Sequence, residues 1–492
     1  MYVKSWTFVC VFYKRILYTQ WYKFGTSGFR AKIGEDFTKE NTQKIAQALS
    51  ILINKEKSTK PVIIGFDRRF MSDYFAKWFA EVLAGNKIHV CMCPHPIPTP
   101  QVMFGVKNLE LDYGVTITAS HNPYVYNGIK ICVKGGSDAQ NELTSKIEKL
   151  SNKHLRIKSL DYDKARNLNL INEFDNTKEY LKNIEKFVSK NFKGNKTKIL
   201  FDCMYGVTAE PAKLFAKMFK LENFDIINDK VDPCFGNILP CPNESCLSEF
   251  KNQVVKGKYK IGLACDADGD RLGIIDEKGE YFSNNVIIPI IYYYLVKYRN
   301  MTGDVVRNMS TSHLSDMLAE KFGYKCHETN VGFKYVSAKM KETNALIGGE
   351  SSGGFTARNY TPAKDSMFEV AMFLDAVLTI NKPISKIVEE VKDFAGYIST
   401  YVEGNTIVNN KQKFLKIIKT KQPKFAYKPI EVKFGDGVKY IFEGGNWVHI
   451  RFSGTENLLR YHVEFTTEIE CERNTKAILN FVNDINNNKK IK

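Results

Sequence analysis

The stretch Lys260-Ile261-Gly262-Leu263-Ala264-Cys265-Asp266-Ala267-Asp268-Gly269-Asp270-Arg271 decides the fold class. A short apolar run of strand length ends abruptly in a turn with carboxylates at alternate positions. The same grammar recurs along the chain. Pro61 to Phe66 leads into Asp67-Arg68-Arg69, Tyr113 to Ile117 into Thr118-Ala119-Ser120-His121-Asn122-Pro123, Lys198 to Phe201 into Asp202, and Ala345 to Ile347 into the glycine- and serine-rich run Gly348 to Gly354. Helical periodicity lies between these runs: Tyr180, Leu181, Ile184, Phe187 and Val188 share one helix face, with Asp175 to Thr177 available as a cap, and Met367 to Ile380 is an apolar helix. Strands alternating with helices predict α/β units with mainly parallel sheets, whose ligands gather at the carboxyl ends of the strands. From about Ile398, Thr- and Val-rich runs followed by a helix predict a smaller α+β unit. The expected fold is therefore three α/β domains with mixed or parallel sheets plus a C-terminal α+β domain. Their boundaries are placed at residues 23–160, 174–277, 278–396 and 397–492, with the polar stretch Ser159 to Glu173 as the first separator.

Composition narrows the class. The chain has 492 residues, 43% of them hydrophobic and 25% charged, which excludes a wholly disordered, collagenous or coiled-coil protein. No apolar stretch reaches the ~18 residues that span a bilayer; the longest candidate, Val286 to Val296, carries three tyrosines and a proline. A formal net charge of +17 raises the question of nucleic acid, but the 58 lysines are scattered and the 13 arginines form no block. Neither nucleic acid nor membrane is expected as a partner. The 11 cysteines have no zinc-ligand spacing and read as reduced thiols of a cytoplasmic protein. In the first 22 residues the apolar run Trp6 to Tyr13 precedes Lys14 and Arg15, the reverse of a signal peptide, and the segment reads as an appended tail or a start assigned too far upstream.

Chemistry is expected in four turns. Asp266, Asp268 and Asp270 lie close enough to repel unless a cation compensates, and three carboxylates suit Mg2+, which prefers oxygen ligands. A solvated acidic turn is the bland alternative. An EF-hand is imitated by Glu277 at the twelfth position, yet Arg271 stands at the sixth, where that loop requires Gly. A haloacid-dehalogenase-like phosphatase also places Asp-x-Asp after a strand, but its further motifs are not placed downstream. The turn at Ser120-His121 offers a hydroxyl beside an imidazole without the flanking glycines of a nucleophile elbow. Arg451-Phe452-Ser453-Gly454-Thr455 and Gly25-Thr26-Ser27-Gly28-Phe29-Arg30 each combine a guanidinium with hydroxyls and glycine, types that grip phosphate.

Taken together, these turns resemble the motifs of the α-D-phosphohexomutase family, in the family's order, over about residues 23 to 490. The resemblance implies domains arranged around a cleft. It implies that Ser120 is a phosphoryl carrier, that Asp266, Asp268 and Asp270 with the Ser120 phosphate hold Mg2+, and that Glu350 and Ser352 contact sugar hydroxyls. Lys334, in Asn330 to Tyr335, falls in a segment similar to one that lies near the sugar. Arg451, Ser453, Gly454, Thr455 and Arg460 resemble the phosphate-binding loop, Arg30 and Arg271 would stabilise charge on the transferring group, and Lys130 and His121 are candidates to move the hydroxyl proton. The implied reaction interconverts hexose 1-phosphate and hexose 6-phosphate, of glucose or mannose, through a phosphoserine and a hexose 1,6-bisphosphate that also serves as activator. The enzyme is expected as a monomer or homodimer.

Departures from the family pattern are few. Asp-Ala-Asp-Gly-Asp exchanges the small residues of the usual loop, and Asn457 replaces a Pro. Gly354 stands where phosphoglucosamine mutases usually have His, which argues against an amino-sugar substrate. An Asp-nucleophile phosphatase, and a calcium- or nucleic-acid-binding module without catalysis, are the competing readings.

Overall fold

Four sheets appear among the residues described by the computed structural model, namely 23–25, 28–189, 192–452 and 458–488. The first runs in the order Phe24–Gly25, Gly28–Lys32, Tyr126–Val133, Tyr113–Ile117, Val62–Phe66, Val90–Met92, Ile171–Glu173, with Ser137–Asp138 paired to Tyr126–Val133. Val62–Phe66 is parallel to both of its neighbours. It and Tyr113–Ile117 are buried along their whole length, which is why they read as continuous apolar runs and not as alternations. Tyr126–Val133 returns antiparallel and sets Lys130 opposite Thr116. The turn holding Ser120 thus sits at the carboxyl end of one strand while Lys130 projects from its neighbour.

The stretch Ser159 to Glu173 carries structure of its own, the helix Tyr162–Asn167 and the edge strand Ile171–Glu173, which pairs with Val90–Met92. Only Ile171 of that strand is buried, so a single apolar residue anchors it and no alternation is visible in the sequence.

In the second sheet Ile199–Asp202 is flanked by parallel strands Phe224–Ile227 and Ile261–Cys265, and the latter pairs antiparallel with Leu272–Asp276. The acidic turn is consequently the tip of a hairpin. The third sheet repeats this device: Val305–Asn308 has parallel neighbours Cys326–Thr329 and Ile347–Gly349, and Ile347–Gly349 turns back antiparallel through Phe355–Ala357. Glu350 to Gly354 form that second tip. The fourth sheet is wholly antiparallel among the described residues, in the order Thr400–Ile407, Leu458–Phe465, Trp447–Phe452, Gly437–Ile441, Glu431–Gly435, and is backed by the helices Lys411–Ile417 and Glu468–Asn486. The last helix begins with a capping box between Thr467 and Glu470, which satisfies amides that would otherwise be unpaired.

The largest apolar cluster joins the second and third units. The helices Asn284–Lys297 and Ser366–Ile380 contribute Ile287, Ile290, Phe368 and Phe373 to it, beside Phe201 and Phe215. The apolar stretch at Val286 is therefore a buried helix; no described helix is long and apolar enough to cross a membrane.

Candidate active site

The acidic tip is the centre of the site. Asp266, Asp268 and Asp270 are buried, and a carboxylate oxygen from each lies within 4.8 Å of the others. Asp266 Oδ1 accepts the amides of Asp270 (2.9 Å) and Arg271 (3.1 Å), a closure that needs Gly269 at φ +73°. Lys130 Nζ reaches across from the first sheet to Asp268 Oδ2 at 2.6 Å and Asp270 Oδ2 at 2.7 Å. Thr99 Oγ1 donates to the same Asp268 oxygen at 2.7 Å, and the Thr99 amide donates to the Asp268 carbonyl at 2.9 Å. Asp268 Oδ1 is buried with no hydrogen-bond partner among the described residues. An all-oxygen donor set with one acceptor left over fits a hard divalent cation. The strands on both sides of the tip exclude the helix-flanked EF-hand.

Electrostatics separates the three carboxyls. Burial pushes Asp266 well above the ordinary carboxylate range, and the charges of Asp270 and Asp268 push it further. Burial would raise Asp270 too, but Lys130, Lys364 and Arg271 outweigh it and hold Asp270 well below that range. For Lys130 burial acts downward, and the two aspartates more than reverse it, so its ammonium is favoured.

Ser120 is buried, in the left-handed region at φ +52°, with its amide donating to Thr118 Oγ1 at 2.8 Å. Its Oγ donates to Asp266 Oδ2 at 3.0 Å and lies 3.4 Å from His121 Nδ1. Burial, reinforced by Arg271 and Arg30, keeps the His121 imidazole well below its usual pKa. Arg30 Nη1 donates to Asn122 Oδ1 at 2.7 Å in the Ser120 turn, and burial beside Arg271 lowers its pKa to about 10. Arg271 Nε lies 3.7 Å from Asp270. Ser120, His121, Lys130, Arg30, Arg271 and the three aspartates thus form one cluster across the first and second units.

The third unit adds a residue that no motif signalled. Lys364 Nζ is 3.4 Å from Asp270 Oδ1, and its stem fills the space beside Gly354: a Cβ built there would fall 2.2 Å from Lys364 Cδ. Glu350 Oε1 accepts from the Gly332 amide at 3.0 Å and Asn308 Nδ2 at 3.3 Å, while Ser352 Oγ donates to Oε2 at 3.4 Å. Burial raises the Glu350 carboxyl. Lys334, on the helix Phe333–Thr343, donates to Asn141 Oδ1 in the first unit.

Arg451 pairs through Nε and Nη2, each at 2.9 Å, with Asp436, and Arg460 lies opposite it on the adjacent strand. A cavity of about 820 Å3 lined by Gly25, Asn141, Lys334, Asp436 and Arg451 brings the first, third and fourth units together. Ser453, Gly454 and Thr455, like Thr26 and Ser27, lie outside the described residues.

The sequence matches four family models in series: phosphoglucomutase/phosphomannomutase alpha/beta/alpha domain I over residues 22–157, domain II over 178–279, domain III over 283–394, and the C-terminal domain over 403–480. The chain belongs to the α-D-phosphohexomutase family. A phosphoglucosamine mutase of Campylobacter hominis is 28% identical over 456 residues, spanning 90% of this chain and 95% of that protein. A phosphoglucomutase/phosphomannomutase of Thermococcus kodakarensis is 27% identical over 451 residues, spanning 90% and 95%. Among solved structures, a Thermus thermophilus protein provisionally classed as a phosphomannomutase superposes with a TM-score of 0.81 at 26% identity over 93% of this chain and 99% of its own. The open form of Paramecium parafusin, a phosphoglucomutase, shares the fold at 22% identity and a TM-score of 0.80, covering 94% of each chain. As a phosphohexomutase the protein is an intramolecular phosphotransferase, and the phosphatase and the non-catalytic binding module are set aside.

Proposed function

We propose that the protein interconverts hexose 1-phosphate and hexose 6-phosphate, with glucose or mannose as the sugar, through a phosphorylated Ser120 and a hexose 1,6-bisphosphate. The observation that carries this reading is the 3.0 Å approach of Ser120 Oγ to Asp266 in a buried triad of carboxylates. A serine that carries phosphate beside three buried carboxylates is stabilised by a cation placed between the two sets of negative charge. Mg2+ held by Asp266, Asp268 and Asp270 would supply charge neutralisation for the phosphoryl group.

The side chains have distinct tasks. Arg30 and Arg271 stabilise charge on the phosphoryl oxygens in transit. Lys130, favoured as an ammonium by Asp268 and Asp270, contributes positive charge beside the transferring group, while His121, held as neutral imidazole by burial and the neighbouring guanidiniums, stands 3.4 Å from Ser120 Oγ; these two are the side chains placed to move the hydroxyl proton. Glu350 and Ser352 hold sugar hydroxyls. Lys334, Arg451, Arg460 and the segment Ser453-Gly454-Thr455 grip the phosphate that is not reacting, so either end of the bisphosphate can face Ser120 after it turns over. Binding energy spent on that distal phosphate positions the reacting end.

Gly354, where phosphoglucosamine mutases usually have His, supports glucose or mannose, and Lys364 fills the space beside it. The phosphoglucosamine mutases among the relatives favour a second reading, in which the hexose bears an amino group. Turnover of glucose, mannose, glucosamine and ribose 1-phosphates, each with Mg2+ and the matching bisphosphate, decides between them. The highest kcat/KM is expected on glucose or mannose, with Ser120→Ala losing nearly all of it. A highest value on glucosamine 1-phosphate, or normal turnover by Ser120→Ala, would contradict the proposal.

A further inference from the structure

The turn Asp67-Arg68-Arg69 follows a buried strand of the first sheet and has no part in the mechanism so far. Arg69 is only 3% exposed, and its guanidinium takes up four carbonyls of the Ser120 turn. Nη2 donates to the carbonyls of Ser120 (2.5 Å) and Asn122 (2.6 Å), and Nη1 to those of Pro123 (2.9 Å) and Tyr126 (3.0 Å). Its charge is met by Asp67, whose Oδ2 lies 3.2 Å from Nε. Asp67 Oδ1 accepts from the Arg69 amide (3.0 Å) and Ser72 Oγ (2.7 Å), and Ser72 Oγ in turn accepts from Asn127 Nδ2 at 2.9 Å. Both ends of the Ser120 turn are therefore tied to one buried ion pair.

The same turn reaches the second unit. Arg68 Nη1 donates to the Asp229 carbonyl at 2.8 Å, and the Phe235 ring centroid lies 5.0 Å from the Arg69 guanidinium carbon. That unit also carries Asp266. We infer that Arg69 is a positioning residue for phosphoryl transfer: it holds the Ser120 turn closed on its own carbonyls and sets Ser120 Oγ against Asp266.

Ser120 sits in the left-handed region, which a residue with a Cβ adopts only when its surroundings impose it. A carbonyl buried in such a turn costs free energy unless a donor meets it. A guanidinium offers a planar fork of N–H groups, and Arg69 directs its two Nη nitrogens to the four carbonyls while Nε lies 3.2 Å from Asp67 Oδ2 as an ion pair without hydrogen-bond geometry; an ammonium has three donors and no fork. Arg69 uses its donors on main-chain carbonyls of this turn, so its effect reaches the reaction through Ser120.

This inference rests on the assignment of Ser120 as carrier, and the test separates the two. Arg69→Lys, Arg69→Ala, Asp67→Asn and Ser120→Ala are made in the full chain and assayed for kcat, KM and melting temperature. A misplacement of about 1 Å at a reacting atom costs about 100-fold in rate, so Arg69→Lys is expected to lower kcat by about that factor with KM within about threefold. Millimolar guanidinium ion should restore at least about tenfold of the Arg69→Ala turnover, where methylammonium, which lacks the fork, does not. Asp67→Asn, which keeps Arg69 but weakens its counter-charge, should lower kcat less and leave KM unchanged; it and Arg69→Lys carry the test if Arg69→Ala does not fold. An Arg69→Lys enzyme with native kcat, or a kcat loss matched by an equal rise in KM and unmoved by guanidinium, overturns the role of Arg69 if Ser120→Ala is inactive. Normal turnover by Ser120→Ala instead overturns the carrier assignment.

Discussion

Replacing Lys130 with Met should make the stability of the protein strongly dependent on divalent cation. Lys130 bridges Asp268 and Asp270 at 2.6 and 2.7 Å, and all three side chains are buried. Without it, two buried carboxylates lose their shared counter-charge beside a third. Removing one partner of a buried ion pair costs about 3–5 kcal/mol. For the second and third units melting together through their shared core, about 220 residues, each kcal/mol shifts the melting temperature by about 2–4 °C, so Lys130→Met in a chelator should melt about 6–20 °C below the native protein. Mg2+ at 100 times its Kd adds about 2.7 kcal/mol to any folded form that binds it; with Lys130 no longer competing for Asp268 and Asp270, the variant should gain more from Mg2+ than the native protein, so the deficit should shrink on titration. Thermal unfolding followed by tryptophan fluorescence, in EDTA and across a Mg2+ series, reads this directly. Equal deficits with and without Mg2+, or a variant as stable as the native protein in EDTA, would refute the reasoning.

Three further outcomes follow from other residues. Burial pushes the Glu369 carboxyl up to about 8 although Asn284 donates to it at 2.6 Å. The folded protein therefore holds a proton that the unfolded chain releases near 4.5, and this stabilisation, complete below the unfolded value, is lost as pH rises through the folded one. Stability should fall by up to about 1.4 kcal/mol per pH unit between about pH 5 and pH 8, and Glu369→Gln should flatten the trend in urea unfolding. Gly354→Ala must strain a residue at φ +114° and displace Lys364, which at about 1–3 kcal/mol felt in the transition state should lower kcat/KM by about 5- to 150-fold, and Gly354→His should not create glucosamine phosphate turnover; steady-state assays check both. Arg451→Lys loses a two-nitrogen grip of the kind it makes on Asp436, and should raise KM by about tenfold with a smaller change in kcat.

The parts of the site that can be read from the sequence are those whose chemistry is local. Asp266, Asp268 and Asp270 announce a cation because three carboxylates at alternate positions are costly without one, and Ser120 stands out beside His121 at the end of an apolar strand. Lys130 is visible as a candidate, but its bridge to the aspartates joins residues more than 130 positions apart and only the packing of the first sheet on the second creates it. Thr99, Lys364 and Arg69 are silent for a related reason. Thr99 meets an aspartate of another unit, Lys364 acts by filling the space next to Gly354, and Arg69 serves main-chain carbonyls, which every residue possesses and no motif can mark. In the fold, runs buried on both faces such as Val62–Phe66 are legible as strands, whereas Ile171–Glu173 is not, because one buried side chain makes no pattern. The +17 charge carries little information; the arginines at 30, 69, 271 and 451 are set within motifs or the turns beside them, and most of the 58 lysines are not.

Whether Ser120 carries the phosphoryl group is read by isolating the phosphorylated enzyme. The native protein is incubated with radiolabelled hexose 1,6-bisphosphate and Mg2+, freed of small molecules, digested and sequenced by mass spectrometry, and a second portion is chased with unlabelled hexose phosphate. An acid-stable phosphate on Ser120 that passes to the sugar during the chase is expected. A hydroxylamine-labile acyl phosphate on Asp266, or a Ser120 phosphate that the chase leaves in place, would contradict it.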